Sequence, residues 1–329
     1  MRTEIPYIHT IRCIACIMVV MLHTLPNFTI YGDDLLYKNL VYIFTKPCVP
    51  LFFMLTGILL LPIKDDYITF LKKRIPKVFL PLMTWGIIYK VMNYNLGYTD
   101  DIKEIFSFPI NSGGILWYLY ILIGIYLFIP FLSNNIYNSK KQIQYFIILW
   151  IFSSFSILIN KYLPNAFGVN LWEHNFNLFI YFSGYLGFLF LGYYLHNYTK
   201  QIKTSTTLVL YIIIFSAIYF LHFYLKKLDF QFTSIDNILQ TSILFILLKQ
   251  LFTNIKYKKI FSFVKYISKY TFAIYLCHMI VYYTVTINIY QYSTKWYIQT
   301  VTFIITFIIS LLISVIIKKT PFSKYIIGL

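Results

Sequence analysis

Hydrophobic positions in this chain cluster in blocks of about twenty residues instead of recurring every second or every third to fourth position. The apolar blocks fall near 7–27, 37–61, 75–96, 114–133, 143–162, 176–197, 206–225, 236–254, 271–290 and 297–317. Each has about the length an α-helix needs to cross roughly 30 Å of hydrocarbon. Lipid leaves no water to satisfy backbone groups, so such blocks become helices. The pattern therefore predicts an all-α, polytopic membrane helical bundle of about ten transmembrane helices. No long polar tract separates them, so residues 1–329 read as a single domain. No small-x-small cleavage pattern follows the first block, Ile8 to Leu25, which reads as a retained helix.

Composition supports lipid as the solvent: 59% of the residues are hydrophobic and 12% are charged, and the mean hydropathy is +0.69. A water-soluble globule of this size cannot hide that much apolar surface. The net charge of +17 would suggest nucleic acid in a soluble protein, but here its placement excludes that class. With the N-terminus inside, the cytosolic connections hold 18 basic residues and the outward ones 6, together with eight of the eleven acids. That asymmetry obeys the positive-inside rule and places both termini in the cytosol. Anionic lipid headgroups are the expected partner of this charge. The four cysteines all lie in apolar blocks, and the Cys13-x-x-Cys16 pair at helical spacing reads as packing, with no disulfide framework and no metal site expected.

Ionisable side chains inside apolar blocks are expensive and mark candidate function. Five stand out: Arg12, His23, Lys46, Lys249 and His278. Eleven helical steps from Arg12 to His23 give a rise of about 16 Å and a net rotation of roughly 20°, so the two face nearly the same way. Arg12 then lies near the cytosolic face and His23 deep in the outer half. Taken alone, an arginine snorkelling to headgroups and a histidine bonded within a core fit the pattern as well. Lys46 precedes Pro47-Cys48-Val49-Pro50, which predicts a broken or kinked second helix, either at a binding cavity or as packing geometry. The segment Lys72-Lys73-Arg74-Ile75-Pro76-Lys77 puts four cations at the cytosolic mouth of the third helix. Arg74 and Lys77 share a face at i, i+3 and suit a phosphate clamp, against the alternative of solvated charge.

These landmarks resemble the acyltransferase-3 membrane proteins, which acylate surface polysaccharides and related envelope molecules. Arg12-x10-His23 resembles the family's R-x10-H signature, and Pro50-Leu-Phe-Phe-Met-Leu-Thr-Gly57 its P-x-F-F-x-x-S-G segment, with threonine at position 56 where serine is usual. The basic run ending at Lys77, Trp117-Tyr118, the stretch Gly184 to Leu195 with Gly192-Tyr193-Tyr194, and Ile274-Tyr-Leu-Cys-His278 are similar to further landmarks, in order along nearly the whole chain. Two departures are Lys46 and Lys77, each where arginine is expected. A lysine keeps the charge and loses the bidentate fork.

The resemblance implies acyl transfer, usually of acetyl from acetyl-CoA as co-substrate with no permanently bound cofactor, to a glycan or lipid-linked sugar at a bacterial inner membrane. Arg12, Lys46, Arg74 and Lys77 would hold the CoA end. His23, aligned with Arg12, would be the general base on the acceptor hydroxyl. A covalent acetyl-histidine relay remains open beside direct transfer. Glu173, His174, Trp117, Tyr118 and His278 are expected toward substrate; His278 is also a second candidate for the base, its place about two turns from the cytosolic end favouring a structural or donor-side role. Partners are acyl-CoA, the acceptor and membrane lipids; no nucleic acid is expected, and homo-oligomerisation is open. No esterase-like extension is expected beyond Leu329. The rival class is a transporter or flippase of glycans or small anions. The two halves of the chain show no internal repeat of the kind such transporters often carry.

Overall fold

The computed structural model describes residues 5–24, 35–95, 116–136, 139–162, 184–199, 202–224, 231–253, 258–286 and 296–328. Every regular element among them is helical. In chain order they are α1 (Pro6–Thr24), α2 (Leu35–Thr45), α3 (Cys48–Leu60), α4 (Tyr67–Asn95), α5 (Trp117–Ile136), α6 (Lys140–Tyr162), α7 (Leu186–Tyr198), α8 (Thr204–Tyr219), α9 (Ile235–Phe252), α10 (Lys258–Ser268), α11 (Thr271–Val281), α12 (Trp296–Lys319) and α13 (Ser323–Ile327). Short π-helical turns extend α8 through Tyr224 and α11 through Thr286.

Six stretches among the described residues are long and apolar enough to cross a membrane: Pro6–Thr24, Leu36–Leu60, Tyr67–Asn95, Thr204–Tyr224, Ile235–Phe252 and Trp296–Lys319, with shorter apolar helices at Trp117–Leu132 and Thr271–Thr284. The chain is thus an all-α bundle of the multi-pass membrane class. The break expected in the second apolar block falls at Lys46–Pro47, between α2 and α3. Pro47 has no N–H to continue the α2 ladder. Thr45 turns its hydroxyl back onto the Val41 and Tyr42 carbonyls, at 2.8 and 3.1 Å, at the same point.

By packing, the chain divides into two compact units, one of 1–22, 31–62 and 135–268, the other of 23–30, 63–134 and 269–329. In the first, α3 and α7 form the most extensive helix pair. Glycine makes it possible: a Cβ on Gly57 would overlap the Leu189 backbone, and one on Gly192 would overlap that of Met54. Each helix thus places a glycine on the other's main chain, the close approach that small residues permit in membranes. Thr56, beside Gly57, bonds the Phe52 carbonyl through its hydroxyl at 2.8 Å, a contact that serine also makes.

In the second unit, α11 packs on α12 and α4, and α13 folds back onto α4. The face of α12 toward this core carries Gln299, Thr302, Thr306, Ser310 and Ser314, all fully buried. Cys277 of α11 donates to the Ser310 carbonyl at 3.6 Å. Tyr89 of α4 donates to the Leu276 carbonyl at 2.7 Å, pinning α11 from its other side.

Candidate active site

α11 presents His278 to the interior of the second unit. The side chain is wholly buried, and its Nδ1 lies 2.6 Å from the carbonyl oxygen of Tyr275, one turn earlier. A carbonyl only accepts, so Nδ1 carries the proton and, in the neutral ring, Nε2 presents a lone pair. That Nε2 is buried and makes no hydrogen bond among the described residues. A buried polar atom without a partner is costly and is one mark of a functional position.

Beside the His278 ring lies His23, at the C-terminal end of α1. The two imidazole rings lie 5.2 Å apart between centroids, tilted by 49°. Aromatic rings continue the line: Tyr275 is 6.0 Å from His278, and Tyr118 of α5 meets Tyr275 edge to face at 5.7 Å. The second unit therefore gathers three of the candidates read from sequence, His23, His278 and Tyr118. It adds Tyr275, which belongs to the same Ile274-Tyr-Leu-Cys-His278 segment. Trp117 opens α5 and is half-buried.

The same unit forms a basic cavity of about 370 Å³, lined by Lys72, Lys73, Arg74, Pro76, Lys77 and Lys324. Arg74 and Lys77 come together there as the i, i+3 pair predicted for α4. Lys73 pairs with Asp65 at 2.9 Å on the exposed surface, a contact that contributes little in water.

The remaining candidates belong to the first unit. Arg12 is half-buried on α1, which continues as one helix through His23. Lys46 is buried at the α2–α3 break, where its Nζ lies 2.7 Å from Asp236 Oδ2 at the start of α9. The Lys46 main-chain carbonyl accepts from Asn237 Nδ2 at 3.4 Å. Lys46 thus has an acid as its nearest charge. Lys249 donates to the carbonyls of Leu195 and His196, at 2.9 and 2.8 Å, and so caps the C-terminal end of α7. Glu173 and His174 lie outside the described residues.

Three features escaped the sequence reading. Asp236, counted there with the outward acids, is the partner of Lys46. Lys90, inside the third apolar block, is a further buried cation. The buried polar face of α12 was visible as small polar residues every third or fourth position through an otherwise aliphatic block, the spacing of one helix face.

The family described as acyltransferase domain matches residues 5–319. No curated protein and no solved structure matches the chain. The matched segment runs from the residue before α1 to the last residue of α12, and takes in both histidines and the cationic turn of α4: the chain belongs to the acyltransferase-3 family of membrane acyltransferases.

Proposed function

We propose that this membrane acyltransferase moves a short acyl group, acetyl in the expected case, from cytosolic acyl-CoA to a hydroxyl of a cell-envelope glycan or glycolipid at a bacterial inner membrane. The observation that carries the reading is the His23–His278 pair, two adjacent imidazoles tilted to each other, one of them anchored by its Nδ1–H with a lone pair left on Nε2. Imidazole is suited to removing a hydroxyl proton near neutral pH, and such general-base help contributes about 10²- to 10⁴-fold.

In the proposed reaction His23 takes the proton of the acceptor hydroxyl as its oxygen attacks the thioester carbonyl. The C–S bond then breaks, the acyl group stays on the acceptor, and the imidazolium returns the proton to the CoA thiolate. His278 lies beside the His23 ring and supplies a second proton site there. Arg74 and Lys77 hold the phosphates of the donor by charge. Arg12 of α1 is assigned to the donor by its charge alone. Lys46, held by Asp236, keeps the α2–α3 break in place, which makes its part in donor binding indirect.

The test uses purified protein in lipid with radiolabelled acetyl-CoA and an envelope extract from the source cells as acceptor. The wild type should release CoA and label the extract, and His23→Ala should lower both by about 10²-fold or more. Full activity in folded, membrane-inserted His23→Ala protein removes His23 as the base. Acceptor flux without CoA release favours a transporter.

A further inference from the structure

The basic cavity of the second unit has a wall supplied by the far end of the chain. Five of its six lining residues are cations, four from one turn and a half of α4, and the fifth, Lys324, from α13 near the C-terminus. None of the lining residues is acidic. Among the described residues the one salt bridge made by these cations is the exposed Lys73–Asp65 pair. Lys72, Lys73, Lys77 and Lys324 are exposed and Arg74 is half-buried, so water and salt screen their mutual repulsion, and the positive field they sum to favours an anion in the space between them.

The tail is nevertheless seated by specific contacts. Trp85 Nε1 donates to the Ile326 carbonyl at 2.8 Å, and Thr84 Oγ1 donates to the Tyr325 carbonyl at 3.1 Å. Gly328 closes α13 in a left-handed conformation, φ +67°, and lies so close to the Lys77 carbonyl that a Cβ would overlap it. Pro81 explains why that carbonyl is available: proline has no N–H to bond the carbonyl four residues earlier, which is that of Lys77. The interruption of α4 thus provides a seat for Gly328, next to the cation that Lys77 contributes.

We propose that the C-terminal tail, residues 320–328, completes a phosphate-ester site, with Lys324 as a fifth ligand beside Lys72, Lys73, Arg74 and Lys77, and that the site takes the phosphates of the acyl-CoA donor. The proposal rests on the donor reading above and extends it to a segment outside every apolar block. A cavity of this size accommodates a nucleotide's phosphates, and clustered ammonium and guanidinium groups are the usual recognition for a multiply charged phosphate. Phospholipid headgroups offer the same chemistry from another source.

The experiment is equilibrium binding of CoA, without acceptor or turnover, to the full chain in nanodiscs of neutral phosphatidylcholine. Lys324→Ala should weaken CoA binding by about five- to tenfold and flatten its salt dependence. Gly328→Ala, which removes no charge and only unseats the tail, should weaken it to a similar extent, and the double variant should bind no worse than either alone. Lys319→Ala, a cation outside the cavity, should bind as the wild type does. If wild-type protein binds CoA and Lys324→Ala binds it equally well, the tail has no part in the site and this inference fails alone. Absence of CoA binding by the wild type overturns the donor reading itself. If phosphatidylglycerol nanodiscs abolish CoA binding to the wild type and not to Lys324→Ala, the cavity belongs to lipid headgroups and the proposal is wrong.

Discussion

His278 does the most at the scale of single residues, because its two ring nitrogens are used differently: one holds the ring to Tyr275 and the other is left without a partner. Asparagine can keep the Nδ1-like donor and cannot supply the Nε2 lone pair. His278→Asn should therefore leave thermal stability near that of the wild type, lower kcat by about 10²-fold and shift the acidic limb of the pH–rate profile. Unchanged kcat with an unchanged profile would make the residue a packing element. Lys46 shows the opposite case, a buried charge whose partner is on the page. Lys46→Ala leaves Asp236 buried and unpaired and should destabilise by about 3–5 kcal/mol, whereas Lys46→Met with Asp236→Leu should recover most of that loss in a thermal-unfolding cycle. The sequence made both sites visible as polar residues in apolar blocks. It did not join them: His23 and His278, like Lys46 and Asp236, lie far apart along the chain, and no periodicity within a helix reports which distant segment it faces.

Individual helices owe their ends and contacts to a few residues. α3 and α7 meet through Gly57 and Gly192, so either one changed to alanine forces two backbones apart; a loss of about 1–3 kcal/mol is expected, read as a lowered melting temperature in detergent. At the start of α4, Asp66 accepts from the Thr69 backbone N–H at 3.0 Å. Hydrogen bonds from the Thr69 side chain first, then its backbone, hold the Asp66 carboxyl below its ordinary value of 3.8. A carboxyl lowered on folding stabilises above its unfolded value, and that contribution is lost as pH falls through the folded one. The first turn of α4 should thus lose hydrogen-exchange protection below about pH 4, and Asp66→Asn, which caps without titrating, should remove that pH dependence. The helix blocks were legible in the sequence because lipid demands long apolar runs. The break at Lys46–Pro47 was legible because proline lacks a donor. The cap by Lys249 on α7 was not, since a lysine that bonds carbonyls of another helix looks in sequence like any buried cation.

For the whole molecule, hydropathy and the order of the landmarks carried the all-α membrane class and the acyltransferase-3 membership, and the family match over residues 5–319 agrees with both. The orientation rests on 18 basic residues against 6. It predicts that single cysteines placed at position 200 and at position 320 react with impermeant thiol reagents from the cytosolic side, and one at position 227 from the outer side. What the sequence could not order was the second unit's interior, where the end of α1 and α11 bring two imidazoles together and α5 adds Tyr118 to the same line of rings. Acyl transfer by the His23–His278 pair is read by mass spectrometry of ester-linked acetyl groups on the envelope glycans of the source cells, carrying the wild type, His23→Ala or His278→Asn at equal abundance in the membrane. Acetyl esters are expected with the wild type and should be almost completely lost in both variants; undiminished acetylation in both would remove the pair from the reaction.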